Sequence, residues 1–465
     1  MIVGLTDVEQ GVFDLLEKQL AGKRRRNLLR SAYMDGKHVL DRLPPTAPPY
    51  LSQVRTVLGW PAKAVEMLAR RIRLDGFAPA SGRGGNDLGV SEILAGSHYV
   101  EMVIQAQVSA LVHSTVFAAV TAGDVSAGEP EALVSFISAL DGTGVWNAKL
   151  HALDSFLWVH RWGQSVSEGF ASRGGARIES ATLFLPFVSI RVEDGRVVDR
   201  QVQDLRVPVV QFPYKPRLDR PFGSSRISRP VMSLTDSAVR TVLRSEGTAD
   251  FYGAPWFMVF GPDEDAFTKG SWQLIMDRVN AIPDNDDAAN PRADVKQFSQ
   301  ASQQPHVDQL QVLAGLFAGE TNIPVSSLGV GLAQANPTSA ESYLASREDL
   351  IAEAEDAQAT WSAAHRQVAV WAWQVANRSL DVPAELAGLL PVWRDTRFTS
   401  RAAAADATVK LVSVFPWMAE SEAIIEQLGF DVQTTRRLLN EKQSVSFLAE
   451  LSAEMERSRQ RREAI

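Results

Sequence analysis

The stretch from Arg220 to Pro255, R-P-F-G-S-S-R-I-S-R-P-V-M-S-L-T-D-S-A-V-R-T-V-L-R-S-E-G-T-A-D-F-Y-G-A-P, constrains the fold more than any other. It starts with a tight Gly/Ser turn and ends at a Gly-Ala-Pro stop. Between them, Ile227, Val231, Leu234, Ala238 and Val242 recur at helical spacing on one stripe. Pro230 suits a first helical turn. The spacing predicts a helix from Ile227 to Tyr252, about 39 Å long at about 1.5 Å per residue. A single apolar stripe needs one partner surface and leaves the opposite side polar.

The 465 residues are enough for two to four domains with a substantial core. Apolar content of 45% and charged content of 22% are those of a folded globular protein. No run of about 18 apolar residues predicts a membrane span, and the start M-I-V-G-L-T-D-V-E-Q lacks a signal-peptide pattern. With no cysteine, disulfides and thiolate metal sites are excluded. Synthesis in a cytosol fits that composition. The net charge of −8 disfavours a tight nucleic-acid binder, which needs a basic surface to displace counterions. It is compatible with a conduit whose negative wall repels phosphate.

Residues 5 to 38 read as helix, with Lys23-Arg24-Arg25-Arg26 as a solvated basic face or, more sharply, a nucleic-acid patch, and Asp35-Gly36 as a turn. L-P-P-T-A-P-P (43–49) is a stiff linker. Val57, Ala64, Val65, Leu68 and Ile72 form a helical stripe that Pro61 starts or kinks. Ser81 to Gly89 is a plain loop, without the Lys-Ser/Thr ending of a phosphate cradle. From about 113 to 220 the pattern turns to strands. These include 115–120, 132–137, a hairpin about Asp194-Gly195, and Val207 to Tyr214.

After Gly253, P-W-F-M-V-F-G is a strand, and P-D-E-D-A-F is too incomplete for a calcium loop. Arg278 to Asp294 is an acidic, turn-rich loop. His306 to Asn322 is helical, with Val307, Leu310, Leu313 or Ala314, and Phe317 on one face. Pro324, Gly329, Gly331 and Pro337 then break the chain into a mobile loop. Thr338 with Glu341 forms a capping box, and Asn336-Pro337 is an alternative cap. The helix that follows runs to Asn377, about 58 Å by the same rise. Leu344, Ile351, Ala354, Trp361, Val368 and Val375 approximate a heptad seam, interrupted by Gln358 and His365. A coiled-coil dimer is one reading of that seam. A charged helix with a basic end closes the chain.

No catalytic constellation is present: no G-x-S-x-G, no H-E-x-x-H, no G-x-x-x-x-G-K-S/T. The seven histidines are scattered, and none pairs with another at metal-ligand spacing. His365 reads as a seam or core residue, and Trp361, Trp371 and Trp373 as packing residues. We expect no enzyme, no cofactor and no metal.

G-S-S-R-I, the helix and A-x-F-Y-G-A-P-W-F resemble the portal proteins of long-tailed bacteriophages, the siphovirus type found in actinobacterial phages. Arg26, Tyr33, Gly36, the Gly76-Phe77 pair that ends a helix in relatives, and the V-P-V-V-x-F approach also match that family. So do Pro324, Leu328, Gly329, Asn336, Pro337, Ser339, Ala340 and Glu341, the most specific local match. Trp393, Arg394, Asp395, Ala405, Asp406, Ala407 and Lys410 match near the end.

The resemblance implies an α+β fold of portal architecture. Its parts would be a wing (1–226), a first stem helix (227–253), a clip (254–305), a second stem helix (306–322), a tunnel loop (323–340), a long wing helix and turn (341–400), and a helical crown (401–465). The long helix is then a radial wing helix in a ring, preferred to the coiled coil because its flanks match. The implied assembly is a closed ring, usually of twelve copies. It would sit at one capsid vertex of the virion and pass double-stranded DNA during packaging and ejection. Val330, Gly331, Leu332, Ala333 and Gln334 would line the constriction. Arg240, Arg244, Asp308 and Gln311 would face the stem wall. Asp284, Asp286, Asp287 and Arg292 would dock partners at the clip. Those partners are the terminase motor and a head-completion adaptor, with major capsid and scaffolding proteins around the ring. The alternative is a helical scaffold or adaptor of a large assembly with no DNA channel.

Overall fold

The computed structural model describes residues 2–40, 56–79, 87–163, 177–252, 257–260, 294–297, 302–330, 347–397 and 401–420, with scattered positions between 424 and 442. The chain divides into two compact units. The first comprises Met1–Met34, Ala62–Ser228 and Tyr343–Ile465; the second comprises Asp35–Pro61 and Arg229–Ser342.

Unit 1 is layered. Strands β2 (Thr115–Ala122), β3 (Ala132–Ser138) and β9 (Val209–Pro213) form an antiparallel sheet in the order β3-β2-β9. Strands β4 (Gly142–Asn147), β5 (Ala152–Trp162), β6 (Ile178–Leu185), β7 (Val188–Glu193) and β8 (Arg196–Val202) form a five-stranded antiparallel meander. Helix α1 (Asp7–Met34) lays Phe13, Leu16 and Leu20 on one face of the meander, against Leu157, Val159, Leu183 and Ile190. The other face puts Leu153, Phe156 and Phe184 against Phe117, Ala119 and Ile137 of the three-stranded sheet. Side chains alternate across a strand, so β2 buries Phe117 and Ala119 there and Val116, Ala118 and Val120 on its opposite face. Burial on both faces explains why T-V-F-A-A-V carries no polar alternation.

The helices of unit 1 cover that opposite face. Helix α2 (Trp60–Ala69), whose Trp60 and Pro61 belong to unit 2, and helices α3 (Val90–Gly96) and α4 (Tyr99–His113) of unit 1 precede the sheets. Neither α3 nor α4 is predicted by the sequence pattern. Strand β1 (Leu74–Ala78) pairs with β12 (Leu390–Trp393), a link across more than 300 residues. Gly76-Phe77 therefore lies in a strand and does not end a helix; Gly76 has φ 145°, which suits extended pairing with a bulge. Val57 precedes α2 and is exposed, because Pro61 in the helix's first turn sets its start at Trp60. The Asp194-Gly195 hairpin forms as expected, both residues at positive φ.

The basic cluster on α1 is not a uniformly solvated face. Arg24 is buried, 3.1 Å from Asp141, donating to Leu140 O at 2.6 Å and stacked over Trp162. Arg25 and Arg26 are exposed.

In unit 2, helix α5 (Arg229–Tyr252) packs on helix α6 (Gln304–Thr321). Val231, Thr235, Ala238, Val239, Thr241, Leu243 and Gly247 are the buried positions of α5, with Leu234 and Val242 only half-buried. On α6 the buried residues are Ala314, Phe317, Ala318 and Thr321, and Trp60 sits 5.3 Å from the Phe317 ring. Val307, expected on the buried face, is 42% exposed, because the contact stripe of α6 is set by its C-terminal half. Strands β10 (Phe257–Phe260) and β11 (Asp294–Gln297) pair antiparallel.

Back in unit 1, α7 (Glu348–Asn377) buries Leu350, Ile351, Ala354, Ala357, Trp361, His365, Val368, Ala369 and Ala372. This is a wider face than an a/d seam, as suits a helix on a sheet. The two short elements α8 (Ala384–Ala387) and α9 (Arg401–Val414) follow. The capping box at Thr338 and Glu341, with Leu344, lies outside the described residues, as does the incomplete calcium loop.

Candidate functional site

The G-S-S-R-I segment, where the chain leaves unit 1, is held by an unusually dense set of bonds. Gly223 has φ 71°, and a Cβ there would come within 2.2 Å of Tyr214 O, so only glycine fits. Ser224 N donates to Tyr214 O at 2.7 Å. Ser225 Oγ donates to Val112 O at 2.6 Å and accepts from Ile227 N at 3.0 Å. Arg226 N donates to Leu111 O at 2.8 Å, and its Nε donates to Ala64 O at 2.8 Å.

The Arg226 guanidinium then meets Glu353 of α7 at 2.6 Å, both nearly sealed from solvent at 3% and 5% exposure. Tyr214 Oη and Lys215 Nζ donate to the same carboxylate oxygen, and Arg226 Nη1 also donates to Tyr214 Oη at 3.1 Å. Burial alone would raise the Glu353 carboxyl. The Arg226 charge and the bonds from Arg226, Lys215 and Tyr214 together outweigh it and hold the group down at about 2. Burial pushes the Tyr214 hydroxyl well up. The site is thus a permanently charged clamp, built to stay ionised and not to exchange protons at neutral pH. Sequence reading quoted Arg226 but missed Tyr214, Lys215 and Glu353. The available signal was the position of Glu353, three residues after Leu350 and four before Ala357, which places a carboxylate on the helix's apolar face.

His365 is a core residue, 1% exposed. Tyr99 Oη lies 2.7 Å from its Nδ1, and the rings of Phe212 and Trp393 meet it edge-on. Burial depresses it to about 3, so it is neutral throughout the physiological range. Trp361 donates from Nε1 to Pro213 O at 2.8 Å, a packing role.

The residues expected on the stem wall fall into two stripes. Arg240 and Arg244 lie on one side of α5 with Ser233 and Ser237, and Arg240 donates to Ser237 Oγ at 2.9 Å. Asp308 and Gln311 lie on one side of α6 with Gln304, whose amide donates to Asp308 at 2.7 Å. No bond joins the two stripes among the described residues. Beyond α6, Val325–Leu328 form a single 3₁₀ turn closed by Gly329 at φ 73°. Val330 is half-buried. Gly331, Leu332, Ala333 and Gln334 lie outside the described residues, as do Asp284, Asp286, Asp287 and Arg292.

Among the described residues no group of three His, Asp or Glu side chains is placed to hold a metal ion. No helix among them is long and apolar enough to cross a membrane. A cavity of about 310 Å³ in unit 1, lined by Gly123, Glu131, Gln203, Gln374 and Arg378 among others, lies apart from both the clamp and His365.

Comparison with known proteins places these features in context. The chain is 29% identical over 270 residues to the portal protein of Mycobacterium phage D29, covering 56% of this chain and 54% of that protein. It is 27% identical over 286 residues to the portal protein of Mycobacterium phage L5, covering 59% and 57%. It thus spans a little over half the length of the curated relatives it matches. A chain in the neck of a native GTA particle, computed with C12 symmetry, aligns at 14% identity and a TM-score of 0.41 over 86% of this chain and 98% of that one. A chain of the virion of a native gene transfer agent aligns at a TM-score of 0.38 and 14% identity, over 83% and 94%. The family model "Phage portal protein, SPP1 Gp6-like" matches residues 15–428, through the clamp, both long helices of unit 2 and α7, and the chain belongs to that family.

Proposed function

We propose that this chain forms a closed ring at one capsid vertex of a virion, through which double-stranded DNA is packaged, retained and ejected and to which the tail is joined. The observation that carries this reading is the family match from residue 15 to 428, unbroken across both units. Within it, α5 and α6 are the two stem helices and 254–305 the clip. Residues 323–340 are the tunnel loop, with 330–334 at the constriction. Unit 1 supplies the wing from 1–226 and 341–400, and 401–465 forms the crown. The polar stripes of α5 and α6 suit a wall that lets a duplex slide, since Ser, Gln and mixed charge offer no continuous row of phosphate-binding cations.

The clamp has a mechanical role in this reading. It holds the segment before α5 to the wing with bonds that survive any pH a phage meets in neutral medium. The motor is a separate protein, the terminase, acting with a head-completion adaptor at the clip. Capsid and scaffolding proteins surround the ring, and synthesis takes place in the host cytoplasm. Twelve copies is the number the family implies.

Light scattering with negative-stain microscopy of the full chain tests the reading. The expected result is a ring with a hole wide enough for a duplex of about 20 Å, a width consistent with its groove dimensions. A compact dimer without a pore sinks it in favour of an adaptor. Deleting residues 329–334 is expected to leave rings intact while DNA retention fails.

A further inference from the structure

The described surface of unit 1 carries two opposite charge stripes that make no ion pair among the described residues. On α1, Lys23, Arg26 and Arg30 lie at i, i+3 and i+7, so they share one face across about 10 Å of helix. Lys23 rests over the Phe222 ring at 4.7 Å. Among the described residues no carboxylate pairs with any of the three; Arg30 Nη1 donates to Asn27 Oδ1 at 3.2 Å, while its Nε is buried without a hydrogen-bond acceptor. Burial, then the charge of Arg26, depresses Lys23 to about 8 and Arg30 to about 10. The stripe thus holds three cations, Lys23 and Arg30 half-buried and Arg26 exposed, with no carboxylate among the described residues to offset them.

On α7, Asp349, Ala352 and Asp356 repeat the same i, i+3, i+7 spacing on an exposed face. Among the described residues Asp349 and Asp356 have no cationic partner either. Their neighbours do: Glu348 pairs with Arg397 at 3.6 Å, and Glu355 accepts from Thr396 at 3.0 Å. Since both stripes are unpaired, they do not meet within one copy. A closed ring uses heterologous contacts, in which one patch of a subunit meets a different patch of the next. Two complementary stripes of equal length on different helices of one unit meet that requirement.

We infer that the α1 stripe Lys23-Arg26-Arg30 of one subunit docks on the α7 stripe Asp349-Asp356 of its neighbour, forming a wing-level contact of the ring. This rests on the ring reading proposed above. A second copy satisfies both stripes at once. A DNA phosphate satisfies only the basic one and is repelled by the acidic one, so the second copy is the better occupant. Charge pairs of this kind set register and suppress wrong docking more than they add affinity.

The absence of cysteine gives a clean test in the full chain. Arg26→Cys and Asp356→Cys together are expected to give, on mild oxidation, a ladder of linked chains on a non-reducing gel up to a closed ring. Each single substitution is expected to stay monomeric on that gel. In parallel, Arg26→Glu is expected to lower the ring fraction about tenfold at about 0.15 M salt, and adding Asp356→Arg to restore it. Both sites are exposed, so folding, followed by circular dichroism, is expected to be unchanged. Rings by light scattering with no ladder and no effect of either charge reversal overturn the contact and leave the ring reading standing. An unmodified chain that never exceeds a monomer overturns both. Arg26→Glu rings that assemble normally but release a short duplex DNA assign the basic stripe to phosphate and overturn the inference.

Discussion

The two long helices α7 and α6 look alike in sequence and differ in the folded chain. Both show apolar residues at helical spacing. α7 buries nine apolar or aromatic positions against the sheet β3-β2-β9 and its neighbours. α6 buries four residues and leaves Val307, Val312 and Leu316 at 42%, 64% and 56% exposure. Apolar periodicity reports that a face is made to be covered. It does not say whether the cover lies in the same chain. In unit 1 it does. On α6 the face bearing Val312 and Leu316 is left over among the described residues, and in the proposed ring its cover would be another subunit.

That contrast can be broken by substitution, and the largest effect is expected in unit 1. Trp361→Ala removes a fully buried ring and its bond to Pro213 O, at a cost of about 4–5 kcal/mol measured by urea unfolding. A loss below about 1 kcal/mol means that α7 is not the keystone of the sheet's helical face. Glu353→Leu strands the Arg226 charge in a dry site and is expected to cost about 3–5 kcal/mol. Adding Arg226→Met is expected to return much of that, because the expensive state is one charge without the other. Gly223→Ala forces a Cβ against Tyr214 O and is expected to cost about 2–3 kcal/mol.

Acid titration sharpens the same comparison. His365 has a depressed pKa in the folded state, so its contribution is complete above the ordinary value of 6.5 and is lost as pH falls toward about 3. In that window the unfolded chain binds a proton that the folded chain refuses, and stability declines by up to about 1.4 kcal/mol per pH unit. His365→Phe is expected to flatten the slope by about one proton. Glu353 acts lower, between its ordinary 4.5 and about 2, where protonation undoes the clamp. An unchanged slope in His365→Phe contradicts the neutral core histidine. The smallest expected effect is on α6: Leu316→Ser changes the stability of the isolated chain by no more than about 0.5 kcal/mol, yet reduces ring yield. Equal yield would mean that the exposed face of α6 is free in the assembly.

Local sequence determined the elements whose signals are short-range. The Asp194-Gly195 turn needs two residues at positive φ, and Asp-Gly supplies them. The helices Arg229–Tyr252, Gln304–Thr321 and Arg401–Val414 follow from apolar spacing, prolines and the alanine-rich run. G-S-S-R-I was legible through its resemblance to portal proteins, whereas the reason only glycine fits there, the Tyr214 carbonyl beside it, came from the fold. Tertiary structure alone decided the rest. Gly76-Phe77 became a strand because β12, more than 300 residues away, pairs with it. Arg24 left the basic face because Asp141, Leu140 and Trp162 wait beneath it. Glu353 became the centre of a clamp because the fold brings Tyr214, Lys215 and Arg226 to one carboxylate. Spacing along a chain fixes which side chains share a face, whereas the charge and packing opposite that face come from residues that only the closed fold makes neighbours.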